Sequence, residues 1–182
     1  MNKTARRYLL LFLISGSIIA LDQITKAIIR STLQPGEIWV PWDWIAPYAR
    51  IVHWYNTGAS FGMFQGKGPI FAAMAVLISV FIVAYYPKFA EQGWAMRIAL
   101  GMQLGGALGN LIDRLFFGQV TDFISVGTFP VFNVADSSIT VGVFILLLGV
   151  VIQEYREKKA VRSQANDAAL PGEGIARDES ES

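Results

Sequence analysis

Residues 69–86 read PIFAAMAVLISVFIVAYY, eighteen consecutive residues without a charge. A helix rises about 1.5 Å per residue, so this stretch is nearly long enough to cross about 30 Å of hydrocarbon. The whole chain has the same character, since 53% of its 182 residues are hydrophobic and 16% are charged. Ordinary soluble domains carry more charge than this. The sequence therefore predicts a membrane protein.

Three further apolar stretches flank this one, and together they predict four transmembrane helices, at about residues 8–29, 69–86, 95–112 and 135–153. The first stretch has an alternative interpretation as a cleavable signal peptide, because Lys3, Arg6 and Arg7 precede it and Ser15-Gly16-Ser17 resembles a cleavage site. The apolar pattern resumes after Ser17, where a signal peptide would end. We therefore expect the first stretch to remain as a helix.

Lysine and arginine are concentrated at one side of the predicted helices. They occur at the N-terminus, between the second and third helices, and after the fourth helix: Lys3, Arg6, Arg7, Lys88, Arg97, Arg156, Lys158, Lys159 and Arg162. Cytoplasmic flanks are enriched in these cations, so we expect both termini in the cytoplasm. Residues 1–155 are expected to form the membrane domain. Residues 156–182, which are polar and end in acidic residues, are expected to be a disordered cytoplasmic tail.

The segment 31–68 is long for a connection between membrane helices, so we expect it to have structure of its own. Residues 50–55 are rich in strand-forming side chains, and Asn56-Thr57-Gly58 supplies turn residues. The tryptophans and tyrosines of this segment suit a membrane surface, either as an aromatic belt or as contacts to lipid or substrate. The expected fold is an all-α membrane protein with four transmembrane helices and a small β-rich extracytoplasmic element.

Acidic residues lie close to the ends of the last two predicted helices. Asp113 and Asp122 follow the third helix and Asp136 opens the fourth, so Asp122 and Asp136 lie on the same membrane side in either orientation. Neither of these two has an adjacent cation, and Gly127 and Pro130 between them can turn the chain. They are expected either to form a pair or to act separately, as a solvated loop residue and a helix cap.

Other charged groups near the same face have structural interpretations. Asp22 and Lys26 are four residues apart on the first helix, and we expect them to form an ion pair. Asp113 has Arg114 beside it and is expected to be neutralised there or at the helix end.

Two close carboxylates can hydrolyse a peptide bond, because like charges do not both ionise readily. One group keeps its proton and acts as an acid, while the other acts as a base on water. The sequence lacks the residues of other protease classes. It has no cysteine for a cysteine protease and no His-Glu-x-x-His motif for a zinc protease. A serine protease would have to use His53, the one histidine. We expect no metal or cofactor, and a net charge of +1 gives no reason to expect nucleic acid.

Two alternatives are open from the residues alone. The aspartates could form the relay of a small transporter or proton-conducting protein. Such a relay needs polar residues distributed across the membrane, whereas the second predicted helix offers only Ser79. The glycines at four-residue spacing in the third helix, Gly101, Gly105 and Gly109, could serve an assembly factor. Close helix packing is the simpler explanation of these glycines.

Five short motifs, in order along residues 8–152, resemble those of the lipoprotein signal peptidases (signal peptidase II), a bacterial family of membrane aspartic peptidases. They are Asp22-Gln23-Ile24-Thr25-Lys26, Asn56-Thr57-Gly58-Ala59-Ser60-Phe61, Gly109-Asn110-Leu111-Ile112-Asp113-Arg114, Val120-Thr121-Asp122-Phe123 and Phe132-Asn133-Val134-Ala135-Asp136.

The resemblance implies an aspartic endopeptidase with Asp122 and Asp136 as the catalytic pair and without metal or other cofactor. Its substrate would be a diacylglyceryl-modified prolipoprotein, cut before the lipidated cysteine at the outer face of the bacterial inner membrane. Globomycin-type cyclic peptides would inhibit it, and we expect a monomer surrounded by membrane lipids. The supporting or substrate-binding positions would be Asp22, Lys26, Asn56, Gly58, Asn110, Arg114, Asn133 and Ala135.

Overall fold

A computed structural model describes residues 3–58 and 64–169. Within these residues there are four long helices: α1 (Lys3–Thr32), α2 (Gly68–Phe89), α3 (Trp94–Phe117) and α4 (Val134–Ala169). Each is longer than the apolar stretch that predicted it. Polar residues at the ends continue the helical hydrogen bonding beyond the apolar part, which is why an apolar pattern marks the middle of a helix better than its ends.

The largest difference from the predicted bounds is in α4. The sequence predicts a helix end near residue 153 and a disordered tail over 156–182, whereas α4 continues through residue 169. Its exposed part carries side-chain pairs at four-residue spacing: Lys158 to Glu154 at 2.6 Å and Gln153 to Glu157 at 3.0 Å. Such pairs support a helix without apolar packing. The rest of the predicted tail, 170–182, lies outside the described residues.

Three of the helices, over Thr4–Thr32, Gly68–Gln92 and Val134–Val161, are long and apolar enough to cross a membrane. They expose many large apolar side chains, among them Phe12, Leu77 and Phe144. A soluble protein rarely exposes apolar surface of this extent, whereas lipid covers it without cost. The predicted membrane class is therefore confirmed.

The central helix is α3, which packs against α1, α2 and α4. It is not among the three helices that are apolar enough to cross a membrane by composition, and it carries Gln103, Asn110 and Asp113. Because protein rather than lipid surrounds most of α3, Asn110 and Asp113 find polar partners inside the bundle.

The glycines of α3 allow this close packing. A Cβ atom on Gly101 would lie 2.8 Å from Ile14, and one on Gly105 would lie 2.7 Å from Ile18, both on α1. These distances are shorter than van der Waals contact, so a larger residue would push the helices apart. The packing role predicted for the glycine face is confirmed.

The predicted β-rich element is a three-stranded antiparallel sheet in the order β1 (Ile38–Trp39), β2 (Ala49–Asn56), β3 (Val120–Val126). The main partner of β2 is β3, which follows α3, and Trp54 of β2 lies opposite Asp122 of β3. The strand-forming residues 50–55 and the turn residues after them predict a small hairpin or sheet; residues 59–63, which follow that turn, lie outside the described residues. The pairing with β3 connects the outer segment to the end of the helix bundle.

Candidate active site

Asp122 is held in the middle of β3 by side chains from two other elements. The Asn56 side chain, at the end of β2, donates to Asp122 Oδ2 at 3.0 Å, and Asn133, just before α4, donates to Oδ1 at 2.6 Å. Asp122 itself is 1% exposed. Both carboxylate oxygens therefore have amide donors in a site almost closed to bulk water.

Burial is the main reason that the pKa of Asp122 is raised, from 3.8 to about 7. The negative charge of Asp136 raises it further, whereas the hydrogen bonds from Asn56 and Asn133 and the charge of Lys26 lower it. A carboxyl group with a pKa near 7 exchanges its proton at neutral pH, which is the property required of an acid–base catalyst.

Asp136 lies in the first turn of α4, where it also takes part in the helix cap. The backbone N–H of Asp136 donates to Asn133 Oδ1 at 2.9 Å, and the Asn133 N–H donates to Asp136 Oδ2 at 3.2 Å. This reciprocal arrangement is a capping box with Asn and Asp in the usual two positions. The other carboxylate oxygen accepts from the Asn110 side chain at 2.8 Å. Capping and proximity to Asp122 are thus combined in one residue.

Asn110 and Asn133 join the surroundings of the two aspartates. Asn110 Oδ1 accepts from Asn133 Nδ2 at 3.1 Å and from Lys26 Nζ at 2.9 Å. Asn110 thereby connects Lys26 to Asp136, and Asn133 connects Asn110 to Asp122. We call Asp122 and Asp136 the aspartate pair.

The ion pair predicted between Asp22 and Lys26 is present, with 2.8 Å between Lys26 Nζ and Asp22 Oδ2. Both side chains are fully buried. The other oxygen of Asp22 accepts the backbone N–H of Ala135 at 2.9 Å. The pair therefore ties α1 to the first turn of α4, next to Asp136.

The sequence predicts that Asp113 is neutralised by Arg114 or at the helix end, and the first of these alternatives is wrong, since Arg114 forms no ion pair with it among the described residues. Asp113 pairs with Lys26 at 3.1 Å and with Arg30 at 3.5 Å, both on α1. Adjacent residues of a helix point in directions about 100° apart, so Arg114 does not face Asp113. Asp113 Oδ2 also accepts the backbone N–H of Thr121 at 2.9 Å, which fixes the start of β3 beside Asp122.

Arg114 and Gly58 lie at the margin of the site. Arg114 donates to the backbone oxygen of Asn110 at 3.3 Å, and its guanidinium lies 5.5 Å from the ring centre of Phe71 on α2. The Gly58 N–H donates to Asn56 Oδ1 at 2.9 Å, which orients the Asn56 amide toward Asp122. The remainder of that motif, Ala59-Ser60-Phe61, lies outside the described residues.

Gln23 and Arg30 belong to this network, although the sequence assigned them no role. The Gln23 side chain donates to Asp22 Oδ2 at 3.1 Å and to Asp113 Oδ1 at 3.2 Å. Arg30 donates to Thr121 Oγ1 at 3.1 Å. The spacing of Asp22, Lys26 and Arg30, four residues each, places all three on one face of α1 and could have indicated Arg30.

His53 makes no hydrogen bond to either residue of the aspartate pair in the part of the chain that the structure describes. Its Nδ1 lies 2.8 Å from the backbone oxygen of Leu33, and within the described residues it makes no hydrogen bond to a serine. A serine–histidine site is therefore not formed by these residues.

A cleft of about 390 Å³ opens beside Asp122 between the sheet and the loop after β3. Asp122 lines it and Asp136 does not. The other lining residues include an exposed cation, aromatic rings and hydrogen-bonding groups: Arg50, Trp54, Tyr55, Asn56, Ser125 and Phe129. The cleft therefore combines polar edges with an aromatic surface.

Fold and site together define a helical membrane protein with two hydrogen-bonded aspartates, one buried and one partly buried, where the bundle meets the sheet. The family model for signal peptidase (SPase) II matches residues 14–152, so the chain belongs to that family, as its motifs predicted.

Named relatives agree with this assignment. The lipoprotein signal peptidase of Shouchella clausii is 39% identical over 155 residues, covering 83% of this chain and 99% of the relative. That of Moorella thermoacetica is 40% identical over 129 residues, covering 71% of this chain and 84% of the relative. A bacterial membrane enzyme solved by the in meso method at 2.3 Å superposes with a TM-score of 0.73 and 32% identity, over 79% of this chain and 88% of that one.

Proposed function

We propose that this chain is an aspartic endopeptidase that removes signal peptides from diacylglyceryl-modified prolipoproteins, cutting just before the lipidated cysteine. The observation that carries the proposal is the aspartate pair: the buried carboxyl group of Asp122 and the partly buried one of Asp136 are joined through Asn133 and Asn110, and the pKa of Asp122 is near 7. Membership of the signal peptidase II family supports the substrate class.

The aspartate pair supplies both groups that peptide hydrolysis needs. With one proton shared between Asp122 and Asp136, the ionised carboxylate removes a proton from water as the water oxygen attacks the scissile carbonyl carbon. The protonated carboxyl gives its proton to the carbonyl oxygen, and a tetrahedral intermediate forms. When the C–N bond breaks, the proton taken from water passes to the leaving nitrogen of the lipidated cysteine. A hydroxyl of the intermediate returns its proton to the carboxylate that had protonated the carbonyl oxygen, so the pair again shares one proton. No metal or cofactor takes part.

Asn56, Asn133 and Asn110 are positioning residues in this mechanism. Their amide groups hold the carboxylate oxygens at 2.6–3.0 Å, so the carboxylates need little rearrangement during the reaction. Lys26 and Asp22 of α1 and Arg114 of α3 hold Asn110 and the start of α4 in place through hydrogen bonds. The cleft beside Asp122 takes the peptide backbone around the scissile bond, and globomycin-type cyclic peptides inhibit by occupying it.

We propose that α3 is a fourth membrane span. Its 24 residues reach about 36 Å, which is sufficient to cross, and its three helical neighbours shield its polar side chains from lipid. Both termini are then cytoplasmic, and the aspartate pair lies at the outer face of the bacterial inner membrane. A scissile bond next to a lipid anchor would be held at that interface. The enzyme acts as a monomer within the membrane lipids and does not need nucleic acid.

The test is cleavage by the purified full-length chain in detergent, offered the same precursor with and without the diacylglyceryl group. We expect the lipidated precursor to be cleaved before its cysteine and the other not. Equal cleavage of both would count against the lipoprotein assignment. Cleavage of neither would favour the transporter alternative.

A further inference from the structure

A second groove lies at the opposite end of the helix bundle from the aspartate pair, between the start of α1 and the start of α3. It has a volume of about 620 Å³. Three cations and three apolar side chains line it: Arg6, Arg7, Arg97, Leu9, Leu10 and Leu13. We call it the arginine groove. Neither the peptidase mechanism nor the packing of the bundle uses it.

Hydrogen bonds hold two of the guanidinium groups at this groove. Arg7 donates to Glu91 Oε1 at 3.0 Å, and Arg97 donates through Nε to the backbone oxygen of Ala90 at 2.7 Å. Both acceptors lie in the turn between α2 and α3. Each guanidinium has five N–H donors, so these bonds leave donors for a ligand. The site is thus preorganised by the turn.

The groove has an excess of positive charge. Three guanidinium groups line it, and one of them, that of Arg7, is paired with a carboxylate, that of Glu91, which leaves an excess of two positive charges. Arg6 has no ion-pair or hydrogen-bond partner among the described side chains. Guanidinium groups bind phosphate oxygens well because their fork of donors matches them. The complementary ligand is therefore an anion with several oxygen atoms.

Because three leucines also line the arginine groove, the complementary ligand needs an apolar part as well as an anionic one. Leu9, Leu10 and Leu13 are 47%, 38% and 58% exposed, and they follow Arg6 along one side of α1. From Arg6 to Leu13 the helix rises about 10 Å toward the middle of the membrane. Free phosphate would leave these side chains uncovered. A ligand with an anionic head and a hydrocarbon chain matches both halves of the groove.

We propose that the arginine groove binds one anionic phospholipid of the surrounding leaflet. Its phosphodiester contacts Arg6, Arg7 and Arg97, and one acyl chain lies along Leu9, Leu10 and Leu13. This lipid is distinct from the proposed substrate, because a diacylglyceryl group has no charge and the aspartate pair is at the other end of the bundle. Bound there, the lipid connects α1 to the turn between α2 and α3.

The test is native mass spectrometry of the full-length chain in a non-ionic detergent, titrated with phosphatidylglycerol or with phosphatidylcholine. We expect one phosphatidylglycerol to bind clearly more tightly than phosphatidylcholine. Arg6→Gln should weaken phosphatidylglycerol binding about fivefold, and the double variant with Arg97→Gln about 25-fold, with little effect on phosphatidylcholine. Since Arg6 has no partner among the described residues, its replacement should leave folding intact.

The matched control is Arg156→Gln with Lys159→Gln, which removes two exposed charges from α4. It should leave phosphatidylglycerol binding unchanged. The proposal is overturned if the control weakens binding as much as the arginine-groove variants, or if the two lipids bind equally. It is also overturned if inorganic phosphate displaces phosphatidylglycerol at similar concentrations, since the site would then take a free anion.

Discussion

The side-chain amide of Asn133 donates a hydrogen bond of 2.6 Å to Asp122 Oδ1. The same asparagine caps α4 through its side-chain oxygen, which accepts the N–H of Asp136 at 2.9 Å. One residue therefore fixes the carboxylate of β3 and the start of the helix that carries the second carboxylate.

These two roles of Asn133 can be separated by substitution. Asn133→Ser keeps a good helix cap and loses the amide donor, so it should leave the melting temperature nearly unchanged and lower kcat about 100-fold. Asn133→Ala loses both and should also cost about 1 kcal/mol of stability. Thermal unfolding and kcat, measured on both variants, check this. Equal losses of stability in both would mean that the cap does not depend on the side-chain oxygen.

The aspartate pair is tested by Asp122→Asn and Asp136→Asn. Each removes a proton-transferring group without changing shape, so cleavage of a lipidated precursor should fall by about 10³-fold or more. Both variants should insert and accumulate normally. Asp43→Asn, an exposed aspartate before β2, is the matched control and should cleave at the normal rate. Near-normal turnover by either pair variant would exclude the proposed mechanism.

The pH dependence follows from the pKa of Asp122, about 7. As the pH rises through that value the pair loses its shared proton, so kcat/KM should fall about tenfold per pH unit above it. Asn56→Ala removes a hydrogen bond that favours the ionised form. The pKa should then rise and the alkaline decline should move to higher pH. A decline that stays in place or moves to lower pH would contradict the assignment to Asp122.

The same shift has a consequence for stability. A carboxyl group whose pKa is higher in the folded than in the unfolded state makes its full contribution to stability below the unfolded-state pKa of 3.8, and this contribution is lost progressively as the pH rises from there to about 7. Asp122→Asn cannot ionise and should lose less stability than the parent as the pH rises from about 4 to about 7. Melting temperatures across this range compare the two chains directly.

Lys26 is expected to be the most costly single replacement in the membrane body. Lys26→Met leaves Asp22 and Asp113 buried without their shared cation and should cost about 3–5 kcal/mol. Lys158→Met, which breaks an exposed pair with Glu154, should change stability by less than about 0.5 kcal/mol. Thermal unfolding in detergent measures both. Asp22→Asn should partly rescue Lys26→Met if unpaired charge is the cause.

Four membrane crossings predict a definite pattern of reporter activity. Reporters fused after Tyr86 and after Lys159 should indicate the cytoplasm, and a reporter after Lys67 should indicate the outside. If the reporters after Tyr86 and Lys159 fell on opposite sides, α3 and α4 would not both cross. The reverse of the whole pattern would overturn the proposed orientation.

Local patterns in the sequence predicted the parts of this structure that depend on local geometry. The Asp22–Lys26 pair follows from four-residue spacing on a helix, and the packing face of α3 follows from its glycines. The partner of Asp113 did not follow, because Lys26 and Arg30 come from a helix more than 80 residues earlier in the chain. Nothing local in the sequence identifies which helix faces which.

The sheet shows the same limit. Residues 50–55 were predicted to be a strand from their side chains, but β3 was not, although Val120–Val126 is rich in β-branched residues. Its partner β2 is separated from it by α2 and α3, so no turn signal connects the two strands. The cross-strand pairing of Trp54 with Asp122 could be found only from the fold.

The hydrogen bond from the Ala135 N–H to Asp22 joins residues 113 positions apart. During synthesis, a chain that has emerged only as far as the end of α3 already contains Asp22, Lys26 and Asp113, but it lacks the amide that Asp22 binds and the carboxylate of Asp136. The site is therefore completed only when the last helix enters the membrane. A protease built in this order has no active site while most of its own chain is being made.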